Sequence, residues 1–458
     1  MKSKQLLLAF DEPAPSRRDR IHDEIIAARL AKSPTGEVRL MDMICERQNM
    51  LTALQRVESN GGAPGVDGMK TSQLRGYLRR HWDKIKADLL GGKHEPLPVR
   101  RTEIPKDNGG IRLLGIPTVL DRLIQQATAH VLSMIWDDTF SDYSYGFRPG
   151  RSQHQAIEQA KRHVEDGYTY VVDIDLSKFF DEVNHERLIS RLAARIHDKR
   201  VIKLIRAYLN SGILVGERLV ETEKGTPQGG PLSPLLSNIV LDELDNELEK
   251  RDLRLVRYAD DVAIYVRSPK AAERVKQSVS AFITSKLKLV VNEQKSQVNR
   301  PWHSKFLGFR ITRFMGHTRI GLHEKSLRKL HDRVIETTAR KRGRSTQAVV
   351  QELNEYLRGW KTYFDPGLAA TTAMELDHWI RRRLRAYIWK QWRLPRTKVS
   401  NLLARGIGPK WAHMVGNTRK GPWHLSKNGT LCAALPDEYF TRTLGLILLG
   451  PTRKQPNR

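Results

Sequence analysis

Two adjacent aspartates at the bend between two apolar, β-branched runs constrain this chain more than any other feature. Leu255 to Tyr258 and Val262 to Val266 both read as strands, and Ala259-Asp260 is a tight turn between them. The resulting Tyr258-Ala259-Asp260-Asp261 hairpin crowds two negative charges together, which is electrostatically poor unless cations neutralise them. A third carboxylate has a similar setting. Asp175 ends the apolar run Val171-Val172-Asp173-Ile174-Asp175, and alternation along a strand puts Asp173 and Asp175 on one face. Carboxylates converging from separate strands suit divalent cations. Two such ions can activate a 3′-hydroxyl, neutralise a phosphate and stabilise a leaving group, and Mg²⁺ prefers oxygen ligands.

Strand-like tracts fill the first two-thirds of the chain, and helical periodicity dominates after about residue 320, so the expected class is α+β. Helical patterning covers Met41 to Val57 and Thr118 to Trp136. A strand–turn–strand occupies Arg100 to Pro117 around Asp107-Asn108-Gly109-Gly110, and Tyr168 to Asp175 reads as a buried strand. Residues 1–40 read as an extension, helical in part from Arg20 to Ala31. Leu353, Leu357, Trp360 and Phe364 share one helix face, as do Leu376, Ile380, Leu384 and Ile388.

The formal net charge is +28, from 79 Lys/Arg against 51 Asp/Glu. Such an excess points to a polyanionic partner, and nucleic acid is the commonest. Residues 301–458 hold 31 Lys/Arg against 10 Asp/Glu, so an appended module does most of the gripping. Within it, Arg381, Arg382, Arg383, Arg385, Lys390, Arg393, Arg396 and Lys398 alternate with Trp379, Tyr387, Trp389 and Trp392. Cations grip phosphates without reading sequence, and aromatic rings stack on bases or pack beneath the helix. Cys45 and Cys432 are too few for a disulfide framework or a four-cysteine zinc site, which fits a reducing compartment. The apolar run Leu6 to Phe10 is too short for a signal-peptide core, and no stretch is long enough to span a membrane, so a cytoplasmic location is expected.

A collinear series of blocks over roughly residues 45–430 resembles the reverse transcriptase–maturase proteins of bacterial group II introns. The series runs Gly65-Val66-Asp67-Gly68, Ile104 to Pro117, Tyr145-Gly146-Phe147-Arg148-Pro149-Gly150-Arg151-Ser152, and Asp175 through Phe180-Asp181 with His185. It continues with Thr226-Pro227-Gln228-Gly229-Gly230-Pro231-Leu232-Ser233-Pro234, the Tyr258 hairpin, Leu289 to Lys295, and Phe306-Leu307-Gly308-Phe309. The resemblance implies a right-hand polymerase. An N-terminal extension (1–40), fingers (41–130) and a palm with an antiparallel sheet (131–315) would precede an all-helical thumb or maturase domain (316–400). A basic C-terminal region (401–458) that binds DNA or RNA would follow.

The resemblance also implies residue roles. Asp175, Asp260 and Asp261 would be the catalytic metal ligands, for two Mg²⁺ ions with Mn²⁺ as a substitute. Asp173 is the alternative first ligand, but Asp175 lies five residues before Phe180, the family's spacing. Phe180 would sit under the incoming sugar and reject a 2′-hydroxyl by bulk. Lys106 and Arg112 would reach the triphosphate, Gln228 the sugar or minor groove, and Lys295 the nucleotide site. Arg381, Arg382, Arg385, Lys390 and Arg393 would bind RNA.

The implied function is an RNA-directed DNA polymerase, a nucleotidyltransferase that also assists splicing of a group II intron RNA and its mobility. Its partners would be intron RNA, an RNA template with DNA primer, deoxynucleotides and target DNA. They include a second copy of the chain as a homodimer, and no membrane; on target DNA the protein would be nucleoid-associated. Many relatives carry a nuclease domain with paired cysteines, which this sequence lacks, so no endonuclease is expected. Two alternatives stand: a domesticated reverse transcriptase in defence or repair, and a non-catalytic RNA-binding splicing factor.

Overall fold

Short β-branched and aromatic runs become strands here, and the longer 3.6-periodic runs become helices. The computed structural model describes residues 39–105, 110–215, 218–220, 224–225 and 229–450. The expected helix over 20–31, together with Lys106 and Gln228, lies outside the described residues. The chain divides into two units, residues 1–304 and 305–458.

Ten strands are described: β1 Val99–Pro105, β2 Ile111–Ile116, β3 Tyr170–Ile174, β4 Ile213–Val215, β5 Arg218–Val220, β6 Arg254–Tyr258, β7 Asp261–Val266, β8 Gln297–Asn299, β9 Phe309–Phe314 and β10 His317–Leu322. In the first unit, one sheet has the order β2-β1-β4-β5. Beside it in sequence, the expected helix over 41–57 is two helices, Leu40–Ile44 and Arg47–Asn60, because Glu46 is extended and caps the second. The helix Val119–Trp136 packs on Arg47–Asn60. Thr118 caps its start by accepting from the Asp121 amide at 3.1 Å. Asn49 ties the pair, donating to the carbonyls of Ile44 at 2.9 Å and Ala127 at 3.1 Å.

The second sheet, β6-β7-β3-β8, is antiparallel throughout. Leu255, Val256, Val262, Ala263, Ile264, Tyr265 and Val266 are all buried, so side chains on both faces of β6 and β7 leave water. The helices Gln153–Glu165, Ser233–Lys250 and Pro269–Phe282 pack against these strands and supply the cover. That rigid, doubly covered sheet carries the hairpin.

The second unit begins with the β9–β10 hairpin and continues in helices Glu324–Thr337, Thr346–Phe364 and Ala370–Gln391. Leu353, Leu357 and Trp360 are buried on one of these, and Leu376, Ile380, Leu384 and Ile388 on the next. A closing strap, Gly445 to Gly450, lies over both. Asn354 donates to the Gly445 carbonyl at 2.7 Å and accepts from the Ile447 amide at 2.8 Å. Lys361 donates to the Leu448 carbonyl, and buried Asp377 accepts from the amides of Leu449 and Gly450 at 2.8 and 2.9 Å. Among the described residues, no helix is long and apolar enough to cross a membrane.

Candidate active site

Strand register assembles the three carboxylates. In β6–β7, Tyr258 pairs with Asp261, leaving Ala259 and Asp260 as the two turn residues. In β3–β7, Asp173 pairs with Ala263 and Ile174 with Val262. The ladder ends there; continued by one step, the same register would bring Asp175, the residue after β3, to the level of Asp261. All three aspartates therefore occupy one end of two adjacent strands. The segment after β3 is held in place from the other side. The Asp175 amide donates to Ser296 Oγ at 3.1 Å, its carbonyl accepts from the Asn292 amide at 2.8 Å, and the Ser177 amide donates to the Val290 carbonyl at 2.7 Å. This brings Lys295 to the site: its Nζ lies 3.9 Å from Asp175 Oδ1, with both side chains partly in water.

The turn itself is strained. Ala259 has φ +56°, a left-handed conformation that costs a residue with a Cβ roughly 1–2 kcal/mol. The surroundings enforce it. A Cβ on Gly146 would lie 2.3 Å from the Ala259 nitrogen, so only glycine lets the Tyr145-Gly146-Phe147 segment lie against the turn. Beneath it sits a fully buried ion pair between Arg257 and Asp245, both with no side-chain exposure. Arg257 Nη1 also donates to Asn238 Oδ1 at 2.8 Å and to the Ala259 carbonyl at 3.0 Å. Asn238 in turn donates to the Gly146 carbonyl at 2.8 Å. One guanidinium thus links helix, hairpin and glycine segment.

Phe180 is the second residue of the short helix Phe179–Glu182 and packs against buried Phe179, with ring centroids 5.2 Å apart. It is half-buried. Gly225 (φ +94°) docks on this helix so closely that a Cβ would lie 2.8 Å from the Phe180 carbonyl oxygen. His185 holds the contact: its Nε2 donates to the Gly225 carbonyl at 2.6 Å, and its Nδ1 lies 3.2 Å from Asn210 Oδ1. Of Arg112 only the backbone is described, paired with Ile104 in the β1–β2 ladder.

The donor set fits a hard cation. Three carboxylates at one sheet end supply oxygen only; Asp260 is half-buried and Asp261 exposed. Among the described residues, no group of three or more His, Cys, Asp or Glu is gathered closely enough to hold a metal ion by itself. Mg²⁺ seldom needs such a group, being held by one or two carboxylates with substrate phosphates and water.

Asp173 is set apart from this group. Its Oδ2 accepts from Ser304 Oγ at 2.7 Å, and desolvation pushes its carboxyl up to about 6, against the opposing effect of that hydrogen bond. The folded chain thus holds this proton more tightly than an unfolded one. The associated stability is fully present below the unfolded value of 3.8 and is lost as pH rises through about 6. Asp173→Asn, which keeps an acceptor and carries no charge, should raise unfolding free energy at pH 8 by about 2 kcal/mol and match the parent near pH 4. Urea titrations of the metal-free protein at both pH values check this; an equal gain at pH 4 counts against a buried, titrating Asp173.

On the helix Ala370–Gln391 and just beyond its end at Arg393, the structure separates the expected RNA-binding residues. Lys390 and Arg393 are exposed. Arg385 is corrected: it is only 4% exposed and donates to the Leu435 carbonyl at 2.9 Å and Asp437 Oδ1 at 2.6 Å. Arg381 lies 3.0 Å from the same carboxylate. Arg382 stacks on Trp423, 3.7 Å from the ring centre, and donates to Ser426 Oγ. These three guanidiniums bind the C-terminal segment to the helix, and Tyr387, Trp389 and Trp392 are buried beneath it.

Comparison with known proteins follows the same division. The reverse transcriptase (RNA-dependent DNA polymerase) family matches residues 104–311. The maturase-specific domain of group II introns matches residues 327–406. Protein YkfC of Escherichia coli K12 is 33% identical over 330 residues, covering 63% of this chain and 87% of YkfC. The group II intron-encoded protein LtrA of Lactococcus lactis is 33% identical over 325 residues, covering 57% of this chain and 54% of LtrA. A putative COX1/OXI3 intron 2 protein of Saccharomyces cerevisiae is 33% identical over 221 residues, 48% of this chain and 26% of that protein. The chain thus spans most of YkfC, about half of LtrA and a quarter of the yeast protein.

Proposed function

The chain belongs to the group II intron-encoded reverse transcriptases with a maturase domain, and from that premise we propose that it copies RNA into DNA at the β6–β7 hairpin and assists splicing and mobility of a group II intron. The observation that carries the polymerase reading is the register that, continued by one step, brings Asp175 to the level of Asp261, beside Asp260. In the reaction, a primer 3′-oxygen bonds to the α-phosphorus of a deoxynucleotide, the bond to the β-phosphate oxygen breaks, and pyrophosphate leaves. Reverse transcriptases generally use divalent metal ions; we propose two Mg²⁺, replaceable by Mn²⁺, which would supply charge neutralisation at both reacting oxygens.

The chain's own residues do the rest. Asp175, Asp260 and Asp261 would hold the ions, and the buried Arg257 fixes the turn that aims two of them. Lys295, close to Asp175, would offset phosphate charge, with Lys106 and with Arg112 of β2. Gln228 would meet the nucleotide sugar or base pair. Phe180 would exclude a 2′-hydroxyl. Exposed Lys390 and Arg393 would contact RNA phosphates; Arg381, Arg382 and Arg385 support that face by fixing the segment behind it.

Phe180→Val tests the sugar assignment. Opening space under the sugar should raise ribonucleotide incorporation relative to deoxynucleotide by about 100-fold, since differential exclusion of roughly 3 kcal/mol is two powers of ten. Single-nucleotide extension with each sugar measures it. An unchanged ratio removes Phe180 from the role and leaves the carboxylates untouched.

A further inference from the structure

The four strands that carry the carboxylates at one end collect arginines and aromatic rings at the other. β6 starts at Arg254, β7 runs out into Arg267, β3 starts at Tyr170, and β8 runs out into Arg300. The pairing of Tyr170 with Val266, Arg254 with Tyr265 and Val171 with Asn299 places all four at the same edge. This edge lies about 17 Å along the strands from the hairpin, at roughly 3.4 Å per residue. It therefore belongs to a surface the nucleotide site does not use.

Each guanidinium there lies against an aromatic ring. Arg267 is 4.8 Å and Arg254 6.0 Å from the centre of Tyr168. Arg300 is 3.8 Å from the centre of Tyr170 and 5.3 Å from that of Trp302. Arg300 is also fixed by donating to Thr169 Oγ1 at 2.9 Å. Hydrogen bonding from Arg254, aided by Arg267, draws the Tyr168 hydroxyl below its usual pKa. Asp252 lies 3.5 Å from Arg254 and is 84% exposed, so water screens it. Three guanidiniums thus lie along this end of the sheet. A guanidinium stacked on a ring uses its face for the ring. Part of each fork is taken up by the Tyr168 hydroxyl and by Thr169, and the remaining N–H groups can donate to phosphate oxygens.

We propose that Arg254, Arg267 and Arg300, set on Tyr168, Tyr170 and Trp302, form a second nucleic-acid surface that grips a phosphodiester backbone remote from the polymerase site. It acts by charge and geometry, without reading bases. The proposal stands apart from the polymerase reading, because binding is measured without primer or nucleotide.

The test uses the full chain and two fluorescein-labelled stem–loops of one sequence, RNA and DNA. Arg254→Ala/Arg267→Ala/Arg300→Ala should weaken binding at 0.1 M salt about tenfold. It should also lower the slope of log affinity against log salt by about 2–3, one unit per lost phosphate contact. Exposed Arg267→Ala alone, which removes no buried contact, should lower the slope by about one. Extension of a short pre-annealed primer should stay within about twofold. The probe that loses more identifies the strand that occupies the surface. Unchanged slopes on both probes in the triple variant, or in Arg267→Ala should the triple variant melt early, overturn the proposal.

Discussion

Asp260→Asn should reduce primer extension on an RNA template by about three orders of magnitude, with no loss of folding stability. The exchange is nearly isosteric at the second turn residue of the hairpin, so Tyr258 and Asp261 keep their pairing. What disappears is one negative charge at the point where cations must gather. Charge stabilisation there is worth several kcal/mol, and each 1.36 kcal/mol is tenfold in rate. Removing a like charge from beside Asp261 also relieves repulsion, so the melting temperature should hold or rise. Extension that survives the change would sink the assignment of the hairpin as the active site. Loss of extension together with loss of folding would assign Asp260 to structure.

The second large effect lies under the same turn. Arg257→Met leaves Asp245 buried and unpaired and should cost about 3–5 kcal/mol of stability. Adding Asp245→Leu should recover most of that, because a buried ion pair replaced by apolar groups is often neutral. The double variant nevertheless lacks a donor for the Ala259 carbonyl, now served by Arg257 at 3.0 Å. It should therefore fold and still extend primers at least tenfold more slowly, with the loss in kcat and not in KM. Urea midpoints and steady-state kinetics on both variants separate the two roles. A double variant with full kcat would leave Arg257 a purely structural residue.

The hairpin was legible because two adjacent carboxylates violate the apolar pattern of their strands and chain order supplied a third. Its support was less so. Arg257 also breaks an apolar run, Leu255-Val256-Arg257-Tyr258, and a charge inside a buried strand demands a partner. Asn238 and Asp245 lie seven residues apart, on one helix face, and could have been proposed as that partner. Nothing short of the fold says that this face meets β6. Arg385 shows the opposite difficulty. In sequence it is one more cation in a basic run, yet it is next to Leu384 and about one helical turn from Ile388, and it shares their burial. A guanidinium follows apolar neighbours inward when a carboxylate and a carbonyl await it, and Asp437 lies 52 residues away along the chain. The helical break at Glu46 is of the same kind: periodicity runs through it, and only an extended cap residue reveals two helices.

The strap from Gly445 to Gly450 sets an order of events during synthesis. Asn354, Lys361 and Asp377 leave the ribosome well before the backbone groups they bind. Until those groups emerge, Asp377 lacks the two amide donors that, once the strap is in place, oppose the rise in its proton affinity caused by burial. The first unit, whose sheet is complete by Asn299, can close while translation proceeds. The second must wait for its last turn. Newly made protein should therefore pass through a stage in which the polymerase core is formed and the basic helices are still being tied, and chaperones or proteases would meet the chain at that stage.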